Sequence, residues 1–117
     1  MNIQIYAQKK NFDVQKAERY FKERRISYQR VDVLKYGIGK RELESVAAAV
    51  GLDNLADKDA KAYRESVIAY TQSRDTILNG LIEKPALLRL PIVRNGKLAT
   101  VGYCPETWDK WIADKKI

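Results

Sequence analysis

The stretch Ile3–Ala17, IQIYAQKKNFDVQKA, decides how this chain folds. Residues 2–7 alternate apolar and polar side chains, which predicts a strand. The basic Lys9-Lys10 loop follows, and Asp13 is the residue we expect to cap a helix running through Arg24. The N-terminus of such a helix carries free N–H groups and a partial positive charge, so it favours a thiolate or a bound anion.

A second strand is predicted over residues 27–33, where Tyr28, Val31 and Val33 supply the apolar positions. The helix before it should bury Val14, Ala17, Tyr20 and Phe21, which recur at helical spacing. A crossover of this length makes the two strands parallel and the connection right-handed.

Residues 40–84 show helical patterns and no strand pattern. A helix with apolar side chains at 43, 46, 47 and 50 should end at Gly51. Asp59 and Ser73 are the expected N-caps of two further helices, the second ending before Pro85.

A hairpin is predicted near the C-terminus, because Asn95-Gly96 separates the apolar runs 90–94 and 98–103. The last helix should begin at Pro105 and bury Trp108, Trp111 and Ile112. The tryptophans are expected in the core, with a role as partner-binding anchors as the alternative. The element order βαβ, helices, ββα predicts an α/β protein with a mixed four-stranded sheet.

The 117-residue chain has 45% hydrophobic residues and a formal net charge of +7, which fits one folded domain. It has one cysteine and no histidine, so we expect no internal disulfide, no histidine base and no zinc site. No apolar run approaches the roughly 20 residues of a membrane span. With a strand pattern directly at the N-terminus and no signal peptide, these features predict a cytoplasmic protein that does not enter membranes.

Four motifs in order resemble the arsenate reductase (ArsC)/Spx family of thioredoxin-fold proteins. That family begins with a strand ending in Tyr, a loop with a reactive Cys, and a helix containing Lys-Ala. The matching pieces here are Tyr6 with Lys16-Ala17, Val50–Leu55 with Tyr63-Arg64, Leu87–Ile92 before a cis-proline, and Val101–Glu106. The resemblance implies a single thioredoxin-like domain over 1–117, with a helical subdomain inserted at 38–86.

The chain departs from the family where chemistry is performed. The reactive Cys falls on Asn11, and the second Cys of Spx-type members falls on Val14. The arginine before the proline is Leu90, with Arg89 one residue earlier, and a basic position of the family aligns with Asp59. The nucleophile and part of the anion clamp are therefore missing.

The former active-site groove is the predicted binding site. Asn11 is either a loop or helix-capping residue, or an amide that orders a ligand. Arg64, Arg89 and Arg94 are candidates for an anion or an acidic partner, or else solvated surface charges. The resemblance implies a cis Pro91 facing the Asn11 loop. The predicted groove residues are Lys9, Lys10, Asn11, Phe12, Arg64, Arg89 and Pro91.

Cys104 is the one weak catalytic candidate. Its place before Pro105 puts the thiol at the N-cap of the last helix, where the dipole would lower the pKa. A capping or packed thiol is the alternative, since the family usually has Ser there.

Three functions remain open from the sequence. The first is a binding or regulatory module without reductase chemistry, taking a protein partner or a small anion and needing no cofactor. Contact with the transcription machinery, as in the Spx branch, is one version by analogy. The second is an arsenate-reductase-like oxidoreductase using Cys104 or an external thiol such as glutathione. The third is nucleic-acid contact through the basic first helix, at Arg19 and Lys22, which the poor interleaving of aromatic residues disfavours.

Overall fold

The computed structural model describes residues 3–117, so Asn2 of the predicted first strand lies outside the described residues. One four-stranded sheet has the strand order β2-β1-β3-β4. The pairing of β1 with β2 is parallel, and the other two pairings are antiparallel, as expected for a mixed sheet. The strands are β1 Ile3–Ala7, β2 Tyr28–Asp32, β3 Ile92–Asn95 and β4 Leu98–Val101.

The first helix, α1, spans Phe12–Glu23. Its buried residues are Val14, Ala17, Tyr20 and Phe21, as their helical spacing predicts. The predicted cap was wrong in one respect. Asn11, and not Asp13, occupies the N-cap position. Asp13 lies within the first turn, where the positive end of the helix dipole stabilises a carboxylate.

Short helices fill the segment between β2 and β3, as predicted. Ser73 caps α5 by accepting a hydrogen bond from the Thr76 N–H. The expected cap at Asp59 is wrong, because Ala60 precedes α4 and makes no side-chain cap. The helices are α2 Val33–Tyr36, α3 Lys40–Val50, α4 Lys61–Arg64 and α5 Arg74–Glu83, with 3₁₀ turns at Leu52–Asn54, Val67–Tyr70 and Pro85–Leu87.

The predicted hairpin forms β3 and β4. Asn95 pairs with Leu98, so the two-residue loop consists of Gly96 and Lys97. Gly96 has a φ of 62°, a left-handed conformation that glycine adopts without steric cost. The Leu90–Pro91 peptide bond that leads into β3 is cis, as the family resemblance implied.

The last helix, α6, spans Pro105–Ala113 and covers the core that α1 also covers. Trp108 is fully buried, and its ring contacts the rings of Tyr20 and Phe21 with centroid distances of 5.1 and 5.0 Å. Trp111 is also buried. Ile112 was predicted on the buried face, but it is 38% exposed, and the buried residues of α6 are Trp108 and Trp111.

Within residues 3–117, no helix combines the length and the apolar character that crossing a bilayer requires.

Candidate functional site

A cleft of about 540 Å³ lies beside the residues that follow β1. Gln8, Asn11 and Asp13 form one wall, and the residues just before β3 form another. The third wall comes from the loop after α3. The residues of these two walls are Asp53, Asn54, Ala56, Asp57, Lys58, Asp59, Ala86, Leu88, Arg89 and Leu90.

Two backbone hydrogen bonds fasten the loop wall to the segment before β3. The Asp57 N–H donates to the Leu87 carbonyl at 2.9 Å, and the Arg89 N–H donates to the Leu55 carbonyl at 2.8 Å. They flank an isolated antiparallel bridge between Ala56 and Leu88, whose side chains are both buried. The bridge therefore joins the loop wall to the segment before β3 through two residues of the core.

Asn11 is the residue that the sequence resemblance aligns with a reactive cysteine, and it immediately precedes α1. Its side-chain Oδ1 accepts a hydrogen bond from the Val14 N–H at 3.0 Å, and its carbonyl accepts one from the Gln15 N–H at 3.1 Å. Asn11 therefore caps α1, which is one of the two roles that the sequence left open. Its oxygen atoms are used by the helix, and an amide has no nucleophilic sulfur.

The side chains lining the cleft carry more negative than positive charge. Four of them are carboxylates, and Lys58 and Arg89 are the cations. Asp53 and Asp59 are exposed, and Asp57 is half-buried. A small oxyanion would meet net repulsion here, whereas a positively charged group would be attracted.

The Arg89 guanidinium group lies beside Gly102, the residue that follows β4. A Cβ atom added at Gly102, whose φ is 83°, would lie 3.2 Å from Nη2 of Arg89. The missing side chain at Gly102 therefore leaves room for the guanidinium group beside the backbone. The arginine keeps an exposed surface toward the cleft.

The predicted groove residues are only partly brought together. Asn11 and Arg89 line the cleft, and Leu90 takes the place next to the buried Pro91. Phe12 begins α1 with 77% of its side chain exposed, and Arg64 ends α4. Lys9, Lys10, Phe12, Arg64 and Pro91 are not among the described residues that line the cleft. Arg94 donates instead to the Gln4 side chain at 3.2 Å on the sheet.

Sequence reasoning missed the acidic wall. Three aspartates fall within seven residues, at 53, 57 and 59, in a stretch that was interpreted only as a family link and a helix cap. The clustering of like charges in a loop was the available signal. Their placement on the cleft depends on the backbone bridge, which no local pattern predicts.

Cys104 occupies the N-cap position of α6 but makes no capping hydrogen bond. Its Sγ donates to the Val101 carbonyl at 3.3 Å. Burial raises the pKa of the thiol, Arg89 opposes this effect, and Glu106 and Asp13 raise it further. The expectation of a dipole-lowered pKa is wrong, because burial and nearby carboxylates outweigh the helix terminus. The packed thiol is the reading that the structure supports.

Cys104 lies near the cleft without lining it. It is absent from the described residues around the cavity, although Arg89 and Asp13, which do line it, are close enough to affect its charge. The Cys104 thiol contacts the Val101 carbonyl and is outside the described lining of the cleft.

We expect Cys104 in the folded protein to react with iodoacetamide several-fold more slowly at pH 8 than in the protein unfolded by guanidinium chloride, since only the thiolate reacts. Because the folded pKa is raised, the thiol stabilises the fold below its unfolded pKa, and this contribution is lost as pH rises through the higher folded value. Mass spectrometry over a pH series measures the rates. Equal rates in the two states would contradict a shielded thiol.

Among residues 3–117, no cluster of three or more Cys, Asp or Glu side chains has the geometry to hold a metal ion.

Comparison with known proteins identifies a matching family and several solved structures that are similar to this chain. The family model described as ArsC family matches residues 6–111. An arsenate reductase from Vibrio cholerae has a similar structure, with a TM-score of 0.84 at 22% identity over 94% of this chain and 97% of that chain. No curated protein sequence matches significantly.

Two further solved structures share the architecture. A Staphylococcus aureus COL protein gives a TM-score of 0.79 at 23% identity, covering 92% of this chain and 96% of that chain. An arsenate reductase (ArsC) related protein from Brucella melitensis gives 0.70 at 18% identity, covering 96% and 95%. At these identities the structural similarity supports the thioredoxin-like fold alone.

Proposed function

The chain belongs to the ArsC family, and from that premise we propose that it is a binding or regulatory module without reductase chemistry. It acts through the cleft between Asn11, Arg89 and the acidic wall. One observation carries the proposal: the described residues that line the cleft include no sulfur atom and no histidine. A site of this composition can hold a ligand, but it has no thiol that could form the cysteine-linked intermediate of a thiol reductase.

The ligand of this proposed module is a protein partner or a small anion. The charge of the cleft favours the first, because the four carboxylates attract a lysine or arginine side chain and repel an oxyanion. The proposal includes a cytoplasmic location and no bound cofactor. It also includes the groove residues outside the cleft, such as Phe12, as rim contacts for a protein partner.

The competing function is a thiol oxidoreductase that uses Cys104 or external glutathione. The Arg89 charge near the thiol favours it, because a guanidinium group stabilises a thiolate. The raised pKa and the hydrogen bond to the Val101 carbonyl oppose it.

Two experiments test the proposal. In an arsenate reduction assay with glutathione and glutaredoxin, we expect the protein to show the same rate as its Cys104→Ser variant, at the level of buffer. Partner capture from an extract of the source cells should fall at least about fivefold for Asp59→Lys, because the change reverses a charge on the acidic wall. Glu44→Lys makes the same change on the exposed face of α3 and should retain the partner.

Turnover that disappears in Cys104→Ser would overturn the proposal in favour of the oxidoreductase. Equal loss of capture in Asp59→Lys and Glu44→Lys would show that the cleft is not the binding site.

A further inference from the structure

A second groove lies between the end of α1 and the end of α6, with a volume of about 590 Å³. Its floor is made of three isoleucines, Ile26, Ile112 and Ile117. Arg24, Arg25 and Asp109 stand at its rim. None of these residues belongs to the acidic cleft described above, so the two surfaces are separate.

The floor offers apolar surface that the core leaves uncovered. Ile26 and Ile117 pack against the core while remaining partly accessible, and Ile112 is 38% exposed. Three aliphatic side chains around one depression provide a place where an apolar side chain of a ligand can leave water.

The rim carries two arginines whose charge is not neutralised. Arg24 lies over the ring of Tyr20, with Cζ 3.7 Å from the centroid, and its Nη1 donates to the Tyr20 carbonyl at 3.1 Å. The ion pairs found within residues 3–117 involve neither Arg24 nor Arg25. Stacking fixes the position of the Arg24 guanidinium group, so less side-chain entropy is lost when it binds a carboxylate.

Asp109 does not cancel this charge by pairing. Its Oδ1 accepts the hydrogen bond of the Tyr20 hydroxyl at 2.5 Å. Burial and this bond raise the pKa of Tyr20, so the phenol remains a donor to the carboxylate. Exposed lysines at 22, 110, 115 and 116 are close in sequence to the groove residues, as are the exposed carboxylates Glu23 and Asp114.

We propose that this α1–α6 groove is a docking site for an acidic peptide segment of a partner protein that places an aliphatic side chain on the isoleucine floor. Carboxylates of the segment pair with Arg24 and Arg25, and the side chain between them fills the groove. Charge complementarity selects this occupant, because the surface combines unpaired guanidinium groups with an apolar depression.

Two other occupants fit the surface less well. A second copy of the chain carries the same net charge of +7 and the same basic rim, so the two rims would repel each other. A single-stranded nucleic acid would bind the arginines, but the described lining has no aromatic ring on which a base could stack.

The test is a nuclear magnetic resonance titration of the ¹⁵N-labelled whole chain with two capped pentapeptides, Asp-Leu-Asp-Leu-Asp and Lys-Leu-Lys-Leu-Lys. We expect the acidic peptide to shift the amide signals of Ile26, Ile112 and Ile117, with a dissociation constant below about 1 mM. Arg25→Glu should weaken binding at least about fivefold, and the affinity should fall as salt is added. Arg19→Glu, the same reversal on the exposed face of α1, should change it less than about twofold.

Several results would overturn the proposal. These are equal binding of the basic peptide, equal loss in Arg25→Glu and Arg19→Glu, or shifts confined to the acidic cleft. A uridine decamer that moves the same signals more strongly than the acidic peptide would assign the groove to nucleic acid. Self-association that is abolished by Ile112→Ser would assign it to a second copy. Ile112→Ser should otherwise weaken the acidic peptide, and an unchanged affinity would refute the role of the floor.

Discussion

Replacing Trp108 with alanine will lower the free energy of unfolding by about 3–5 kcal/mol. The side chain is fully buried between α1 and the sheet. It contacts the rings of Tyr20, Phe21 and Tyr103, and its Nε1 donates to the Thr100 hydroxyl at 2.9 Å. Alanine would leave a cavity and an unpaired hydroxyl together. Equilibrium urea denaturation followed by circular dichroism measures the loss.

Trp108→Phe separates these two contributions. Phenylalanine keeps an aromatic ring in the core but leaves the buried Thr100 hydroxyl without its donor, so we expect a loss of about 1–3 kcal/mol. If Trp108→Ala cost less than Trp108→Phe, the packing described for α1 and α6 would be wrong.

Installing a cysteine at position 11 will create a reactive thiol where the chain has none. In a Cys104→Ser background, we expect Asn11→Cys to have a pKa below the ordinary thiol value of roughly 8.5, because it lies at the N-terminus of α1. It should react with iodoacetamide at pH 7 at least about tenfold faster than an ordinary exposed cysteine. Losing the hydrogen bond to the Val14 N–H will cost about 1 kcal/mol of stability.

The matched control is Lys97→Cys in the same background, in the exposed hairpin loop between β3 and β4. Both single-cysteine proteins are alkylated over a pH series, and the midpoints are compared. A higher midpoint for position 11 than for position 97 would mean that the acidic wall dominates the helix terminus. A cysteine at position 11 would then not be activated by its place at the start of α1.

Local patterns were sufficient to predict most of the fold. Ala17 and Phe21 recur at helical spacing, and Gly96 marks a turn between two apolar runs. Helix α1 and the β3–β4 hairpin could therefore be predicted from residues close together in the sequence. The two wrong caps have a physical cause. Asp13 and Asp59 have the right side-chain chemistry, but whichever residue has extended backbone geometry just before the first helical turn becomes the cap.

The candidate site could be predicted only in part. Asn11 was found because it directly precedes α1, where a motif and an element boundary coincide. The acidic wall could not be placed, since Asp57 reaches the cleft through backbone bonds to a segment thirty residues away in sequence. The direction of the Cys104 pKa shift was wrong for a similar reason, because burial of the thiol depends on tertiary packing, whereas its helix position could be predicted locally.

The paired backbone bonds around the Ala56–Leu88 bridge have one more consequence. Outward movement of the acidic loop would break both bonds and expose the buried side chains of Ala56 and Leu88. Binding of a ligand too bulky for the cleft would then be coupled to the breaking of these backbone contacts. Deuterium uptake at the Asp57 and Arg89 amides would therefore record how often the cleft opens.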